Sequence, residues 1–263
     1  MKLNYEYLDH NQSQTIILLH GFLSTSNSMK KIAESLSDIR NVILVDLPGF
    51  AGTKSVGISY TMKDIASGLD DIINELNLNR VDIFGYSMGG RVALAFTVLQ
   101  PDSVELLILE SASAGIKDEA NRVNRQQIDK DRHDKMIENY QMFLKDWQAL
   151  PLFNSQQHID PDILNQQQSE RQSLNPSEAA DSLLKYGTGV QDSYWDDIKS
   201  IYQPVLLMVG QEDEKFVSIG KTMSQLIKSA KLEIVESCGH NIHLESFDVF
   251  IKILKAYLQE ENS

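Results

Sequence analysis

Gly85-Tyr86-Ser87-Met88-Gly89-Gly90-Arg91 places a serine between two glycines at the spacing of a nucleophile elbow. The apolar run Val81–Phe84 leads into it and the apolar segment Val92–Phe96 follows. A turn tight enough to lift a hydroxyl above a sheet leaves no room for side chains two residues to either side. A helix starting at that point favours a developing anion through its N-terminal amides. A serine of this kind needs a histidine to take its proton and a carboxylate to orient the histidine, in the chain order Ser, Asp or Glu, His. Downstream, Gly210-Gln211-Glu212-Asp213-Glu214 follows an apolar run, and Cys238-Gly239-His240-Asn241-Ile242-His243 follows another. Asp213 is the expected acid and His240 the expected base. Glu110, at the end of the run Leu106–Leu109, is the alternative acid position.

Ile16-Ile17-Leu18-Leu19-His20-Gly21-Phe22 reads as a strand ending in a loop that supplies a backbone N–H to an oxyanion hole. The expected donors are the N–H groups of Phe22 and of Met88. His20 is read as a support of this loop, His243 as the start of the last helical segment, and Cys238 as a small packing residue.

The elements that must hold these groups follow from hydrophobic pattern. Strands are expected at Thr15–Leu19, Val42–Val45, Val81–Phe84, Leu106–Leu109, Val205–Val209 and Leu232–Val235, mostly continuous apolar runs that need cover on both faces. Leu3–Leu8 alternates and fits an antiparallel edge strand. Ile65, Leu69, Ile72, Ile73 and Leu76 form a helical stripe, as do Phe250, Ile251, Leu254 and Leu258. Strand–helix alternation predicts an α/β fold with a mostly parallel, doubly wound sheet. The alternation breaks over 115–195, a stretch rich in Gln, Asn, Asp and Arg, which reads as an inserted helical cap. The expected organisation is a core of 1–114 and 196–263 with the cap at 115–195.

The chain has 263 residues and 24 Lys plus Arg against 37 Asp plus Glu, a formal net charge of −13. That balance argues against nucleic acid as a partner. No run reaches the ~18 apolar residues of a membrane helix, so no membrane insertion is expected. One cysteine and no apolar leader fit the cytoplasm.

Leu19-His20-Gly21-Phe22, Asp46-Leu47-Pro48-Gly49, the Ser87 motif, Gly210-Gln211-Glu212-Asp213 and Gly239-His240-Asn241 together resemble the α/β-hydrolase superfamily over nearly the whole chain. The chain is similar, within it, to the MenH family of menaquinone biosynthesis. That likeness rests on Tyr86 and Arg91 around the serine, Arg122-Val123-Asn124-Arg125-Gln126-Gln127, Asp146-Trp147 with Pro151-Leu152-Phe153, Ser169-Glu170-Arg171-Gln172-Ser173, and Gly239 to His243. The resemblance implies a carbon–oxygen lyase, a 2-succinyl-6-hydroxy-2,4-cyclohexadiene-1-carboxylate synthase. Its serine–histidine pair would act as a base to eliminate pyruvate from 2-succinyl-5-enolpyruvyl-6-hydroxy-3-cyclohexene-1-carboxylate, with no metal or other cofactor. The resemblance further implies Arg91, Arg125 and Arg171 as carboxylate-binding residues and Tyr86, Trp147 and Phe153 as pocket aromatics, with Arg122 a rival to Arg125. Arginine suits a tricarboxylate because its planar fork binds carboxylate in bidentate fashion. Phe50-Ala51-Gly52-Thr53 departs from the pattern of relatives and is expected on the rim. A generic serine hydrolase, either a carboxylesterase or a C–C bond hydrolase, is the alternative activity, and a non-catalytic receptor the third reading. The sequence does not fix the oligomeric state, and a monomer is compatible with it.

Overall fold

Apolar runs without alternation need cover on both sides, and both sides are covered in the computed structural model, which describes residues 1–261. The strands are β1 (Asn4–Leu8), β2 (Thr15–Leu19), β3 (Asn41–Asp46), β4 (Val81–Tyr86), β5 (Val104–Glu110), β6 (Val205–Gly210) and β7 (Ala230–Val235). They form one sheet in the order β1-β3-β2-β4-β5-β6-β7. Only β1 is antiparallel, paired with β3 from Asn4 opposite Asp46 to Leu8 opposite Val42. The strands lie where the apolar runs predict, with β5 and β7 each beginning two residues earlier.

The helices are α1 (Lys30–Leu36), α2 (Met62–Glu75), α3 (Met88–Leu99), α4 (Glu119–Glu138), α5 (Tyr140–Gln148), α6 (Pro161–Ser173), α7 (Pro176–Tyr186), α8 (Glu214–Leu226), α9 (Ile242–Glu245) and α10 (Phe247–Glu260). Successive residues of β2 serve opposite layers. Ile17 and Leu19 join the apolar cluster that includes α2 and α3. Ile16 and Leu18 join the one that includes α1 and α10. This is why the strand reads as unbroken hydrophobicity. Helices α4 to α7 all fall between β5 and β6. No helix among the described residues is long and apolar enough to cross a membrane.

Strand order reverses at β2, which has β3 on one side and β4 on the other. Ligands of open α/β sheets gather at the carboxyl ends of strands flanking such a point. Here those ends carry the His20–Phe22 loop and Ser87.

Far from that edge, Arg40 stitches β4 to α10. Its Nε donates to Asp82 Oδ2 at 2.7 Å and its Nη2 to the Leu258 carbonyl at 2.9 Å, with Arg40 and Asp82 both buried. Burial pushes the Asp82 carboxyl up to about 6, against the pull of the Arg40 guanidinium. Arg40→Met strands that carboxylate and is expected to cost about 3–5 kcal/mol in urea unfolding. Pairing it with Asp82→Leu should restore most of the loss; a double variant as unstable as the single would contradict this account.

Candidate active site

β4 ends directly in the turn that carries Ser87, whose backbone has φ 51° and ψ −103°. A non-glycine residue at positive φ is strained and persists only where its surroundings hold it. They do so here. The Ser87 N–H donates to the Glu110 carbonyl at 2.8 Å. A Cβ on Gly85 would stand 2.4 Å from the Gly89 carbonyl oxygen, and one on Gly89 would stand 2.3 Å from that of Leu19. Both glycines of the motif are therefore required by close backbone approach.

His240 reaches Ser87 from the loop before α9. Its Nε2 lies 3.0 Å from Ser87 Oγ and its Nδ1 2.6 Å from Asp213 Oδ2. Asp213 sits at the N-terminus of α8, where its other oxygen accepts the Phe216 N–H at 3.3 Å. The Phe216 ring packs against the imidazole, centroids 4.7 Å apart. Glu245 ties down the histidine loop, accepting from Gly239 N at 2.7 Å and Asn241 N at 3.1 Å. The alternative acid, Glu110, is engaged elsewhere. It accepts the His243 N–H at 3.1 Å and pairs with His243 Nδ1 at 2.7 Å, wholly buried. His243 lies on the short α9, not at the start of the last helix, α10, where its place in the sequence put it, because the chain breaks at Ser246 between the two.

The N–H groups of Phe22 and Met88 have no hydrogen-bond acceptor among the described residues, and both residues line the cavity beside Ser87. His20 lies beneath them, fully buried. Its Nε2 accepts from Leu47 N at 3.1 Å, so its Nδ1 carries the proton and donates to the Gly21 carbonyl at 2.8 Å. Burial lowers its pKa from 6.5 to about 4. The folded protein thus resists protonation that the unfolded chain accepts, so stability from this residue is complete above pH 6.5 and is lost as pH falls toward 4. The loss should total about 3 kcal/mol. Urea midpoints for wild type and His20→Gln at pH 7 and pH 4.5 test this: the variant should fall less. Of the loop 50–53 expected on the rim, Ala51 and Gly52 are exposed, but none of the four lines the cavity and Phe50 is turned inward. Phe50 is buried and packs edge-on against His20 and Phe22, with centroids at 5.3 and 5.8 Å, so it braces the loop from the core. Cys238 is buried, its thiol pushed up to about 12 by burial, and is inert.

Above Ser87 lies a cavity of about 1200 Å³. The core contributes Arg91 and Tyr86 to its wall, and the helices between β5 and β6 contribute Arg125, Trp147, Phe153 and Arg171. Arg125 rather than Arg122 faces the cavity; Arg122 Nε lies 3.9 Å from Glu119. Arg91 is held by the Tyr186 carbonyl at 3.0 Å and by the Gln191 side chain. Burial, then repulsion from Arg125, brings its pKa down to about 10. Burial likewise lowers that of Arg171, whose guanidinium lies 5.7 Å from the Phe153 ring centroid. Trp147 bridges Phe22 at 5.2 Å and Phe153 at 5.9 Å. Burial, and after it Glu110, raises the Tyr86 phenol well above 10, so it stays a neutral donor. Four further cations line the cavity that sequence reasoning missed, Lys30, Lys31, Arg132 and Lys215. The i, i+7 spacing of Arg125 and Arg132 was the available signal.

A family described as alpha/beta hydrolase fold matches residues 14–247. A Bacillus subtilis protein bearing the name 2-succinyl-6-hydroxy-2,4-cyclohexadiene-1-carboxylate synthase is 36% identical over 94% of this chain and 91% of its own. The solved structure of MenH from S. aureus superposes with a TM-score of 0.95 at 37% identity, covering 98% of this chain and 99% of that one. The chain belongs to the MenH family of α/β-hydrolase-fold proteins. A second synthase of that name, from Serratia proteamaculans, is 26% identical over 92% of each chain. Among the MenH-family features quoted from sequence, the arginines and aromatics dispersed over 86–171 converge on one cavity.

Proposed function

We propose that the chain is a 2-succinyl-6-hydroxy-2,4-cyclohexadiene-1-carboxylate synthase, a carbon–oxygen lyase of menaquinone biosynthesis. The observation that carries this reading is the wall of guanidinium groups around Ser87, which suits a tricarboxylate and not a neutral ester. Seven cationic side chains, Lys30, Lys31, Arg91, Arg125, Arg132, Arg171 and Lys215, line the cavity in a chain of net charge −13. Selectivity then rests on close-range ion pairing rather than on long-range steering.

The chemistry follows from the substrate and product names. Ring carbon 2 carries the succinyl ketone, so its proton is acidified. Ser87, with His240 accepting its proton and Asp213 fixing the imidazole, takes the proton from carbon 2. The electron pair forms the carbon 2–carbon 3 double bond, the ring alkene moves to carbons 4 and 5, and the carbon 5–oxygen bond breaks. The leaving enolate of pyruvate takes a proton on carbon. Negative charge that develops on the succinyl ketone oxygen is matched by the N–H groups of Phe22 and Met88. Tyr86, Trp147 and Phe153 supply the apolar walls for the ring. No residue needs a metal or organic cofactor for this sequence of bonds. A cytoplasmic location belongs to the same reading.

The test is pyruvate release from the enolpyruvyl tricarboxylate, followed by coupled reduction to lactate. Rapid cleavage of p-nitrophenyl esters with no pyruvate released would assign the site to ester hydrolysis instead.

A further inference from the structure

A buried carboxylate stands inside the cationic wall. Asp129, on α4, is fully buried. Its Oδ1 accepts from Arg125 Nε at 2.8 Å and from Arg132 Nη1 at 3.4 Å. Its Oδ2 is buried with no hydrogen-bond partner among the described residues. A half-satisfied buried carboxylate is expensive, and an apolar side chain of the same size would cost less at that position. Asp129 therefore has to be explained by what it holds.

What it holds is a pair of guanidinium groups. Residues 125, 129 and 132 fall at i, i+4 and i+7, on one face of the helix. Arg125 spends only its Nε on Asp129, and among the described residues its two Nη groups have no other acceptor. Arg132 uses one Nη and rests over the Trp147 ring, 5.2 Å from its centroid. Both side chains line the cavity. Two guanidinium charges less one carboxylate leave +1 facing the cavity, the charge that one substrate carboxylate needs. Without Asp129 the two cations would repel each other at close range in a poorly hydrated setting.

We propose that Asp129 is a positioning residue that sets Arg125 and Arg132 as a paired receptor for one carboxylate of the substrate, with Arg132 a specificity-determining contact. This rests on the lyase reading above. Arg132 lies outside the positions that the sequence motifs single out, and its part in the receptor follows from the shared Oδ1 and the Trp147 platform.

The test begins with turnover by the wild-type chain, which must release pyruvate; without turnover the lyase reading falls and this proposal with it. Binding is then separated from chemistry in a Ser87→Ala background, where the enolpyruvyl tricarboxylate is held intact and its Kd is read by calorimetry. Adding Arg132→Ala is expected to weaken binding at least tenfold. Arg132→Lys should recover only part of the loss, because a point charge replaces a fork. Asp129→Asn should weaken binding at least fivefold, and Arg132→Ala should cost markedly less in that background than alone. In turnover, Arg132→Ala and Asp129→Asn should raise KM far more than they lower kcat. Kd within twofold for Arg132→Ala, in a chain whose wild type turns over, overturns the receptor. An Asp129→Asn variant with a lower melting temperature but unchanged KM reduces Asp129 to a structural residue. Should Asp129→Asn fail to fold, the two half-exposed Arg132 variants decide the matter on their own.

Discussion

Ser87→Ala lowers kcat for pyruvate release by ~10³- to 10⁴-fold, with substrate affinity kept within a few fold. The magnitude is that of removing a positioned acid–base group. The split between kcat and affinity follows from geometry. Ser87 sits at the floor of the cavity with its Oγ directed at His240, 3.0 Å away, while the cationic side chains of the cavity belong to other residues. Arg91→Ala should show the reverse weighting, with kcat/KM falling mainly through KM. Its guanidinium is locked by Tyr186 and Gln191 and has no contact with the proton being moved. Single-turnover measurement of pyruvate, alongside calorimetric binding, separates the two. A loss below tenfold in Ser87→Ala would show that the histidine removes the ring proton directly and that the hydroxyl is dispensable.

Asp213→Asn is the second large effect, expected at ~10³- to 10⁴-fold in kcat with little change in stability. An amide at this position presents a donor to His240 Nδ1 and stabilises the wrong tautomer, leaving Nε2 protonated toward Ser87. It also removes the charge that steadies the imidazolium. Glu110→Gln is the matched control. Glu110 is also buried, but its carboxylate serves His243. Its loss should cost stability and less than about tenfold in kcat. If Glu110→Gln were as damaging to kcat as Asp213→Asn, the assignment of the acid would have to be reopened.

Much of this site could be read from the sequence, because the elbow is a local motif. Gly85, Ser87 and Gly89 occupy one turn, and the turn's sterics dictate their types. The loops bearing Asp213 and His240 were legible for a related reason: each follows a buried strand, and strands announce themselves as apolar runs. The layer above was legible only in part. α4 is polar on most of its surface, so no hydrophobic stripe shows which face turns inward. Arg125 was found by family resemblance, whereas Arg132 and Asp129 have the same composition as a solvated helix face and pass unnoticed until α7 is packed against α4. Lys215 was hidden differently. It follows Asp213 and Glu214 in an acidic stretch, and only the start of α8 turns it toward the cavity. Phe50 escapes a sequence reading because a residue directly after Pro48-Gly49 reads as loop, yet its ring is drawn under the His20 loop by the apolar space there.

The cavity cations do not come from one piece of the chain. Arg91 and Lys215 belong to elements that pack on the sheet, and Arg125, Arg132 and Arg171 to the helices between β5 and β6. Like charges therefore face one another across a seam when the cavity holds no anion, and the empty protein carries that repulsion as stored free energy. A trianion cancels it, so substrate behaves as a removable staple between the two halves. The melting temperature then becomes a gauge of occupancy, rising with ligand by mass action. Sulfate and phosphate in an ordinary buffer are small competing staples, and they will mask both the affinity of the substrate and the fragility of the empty state.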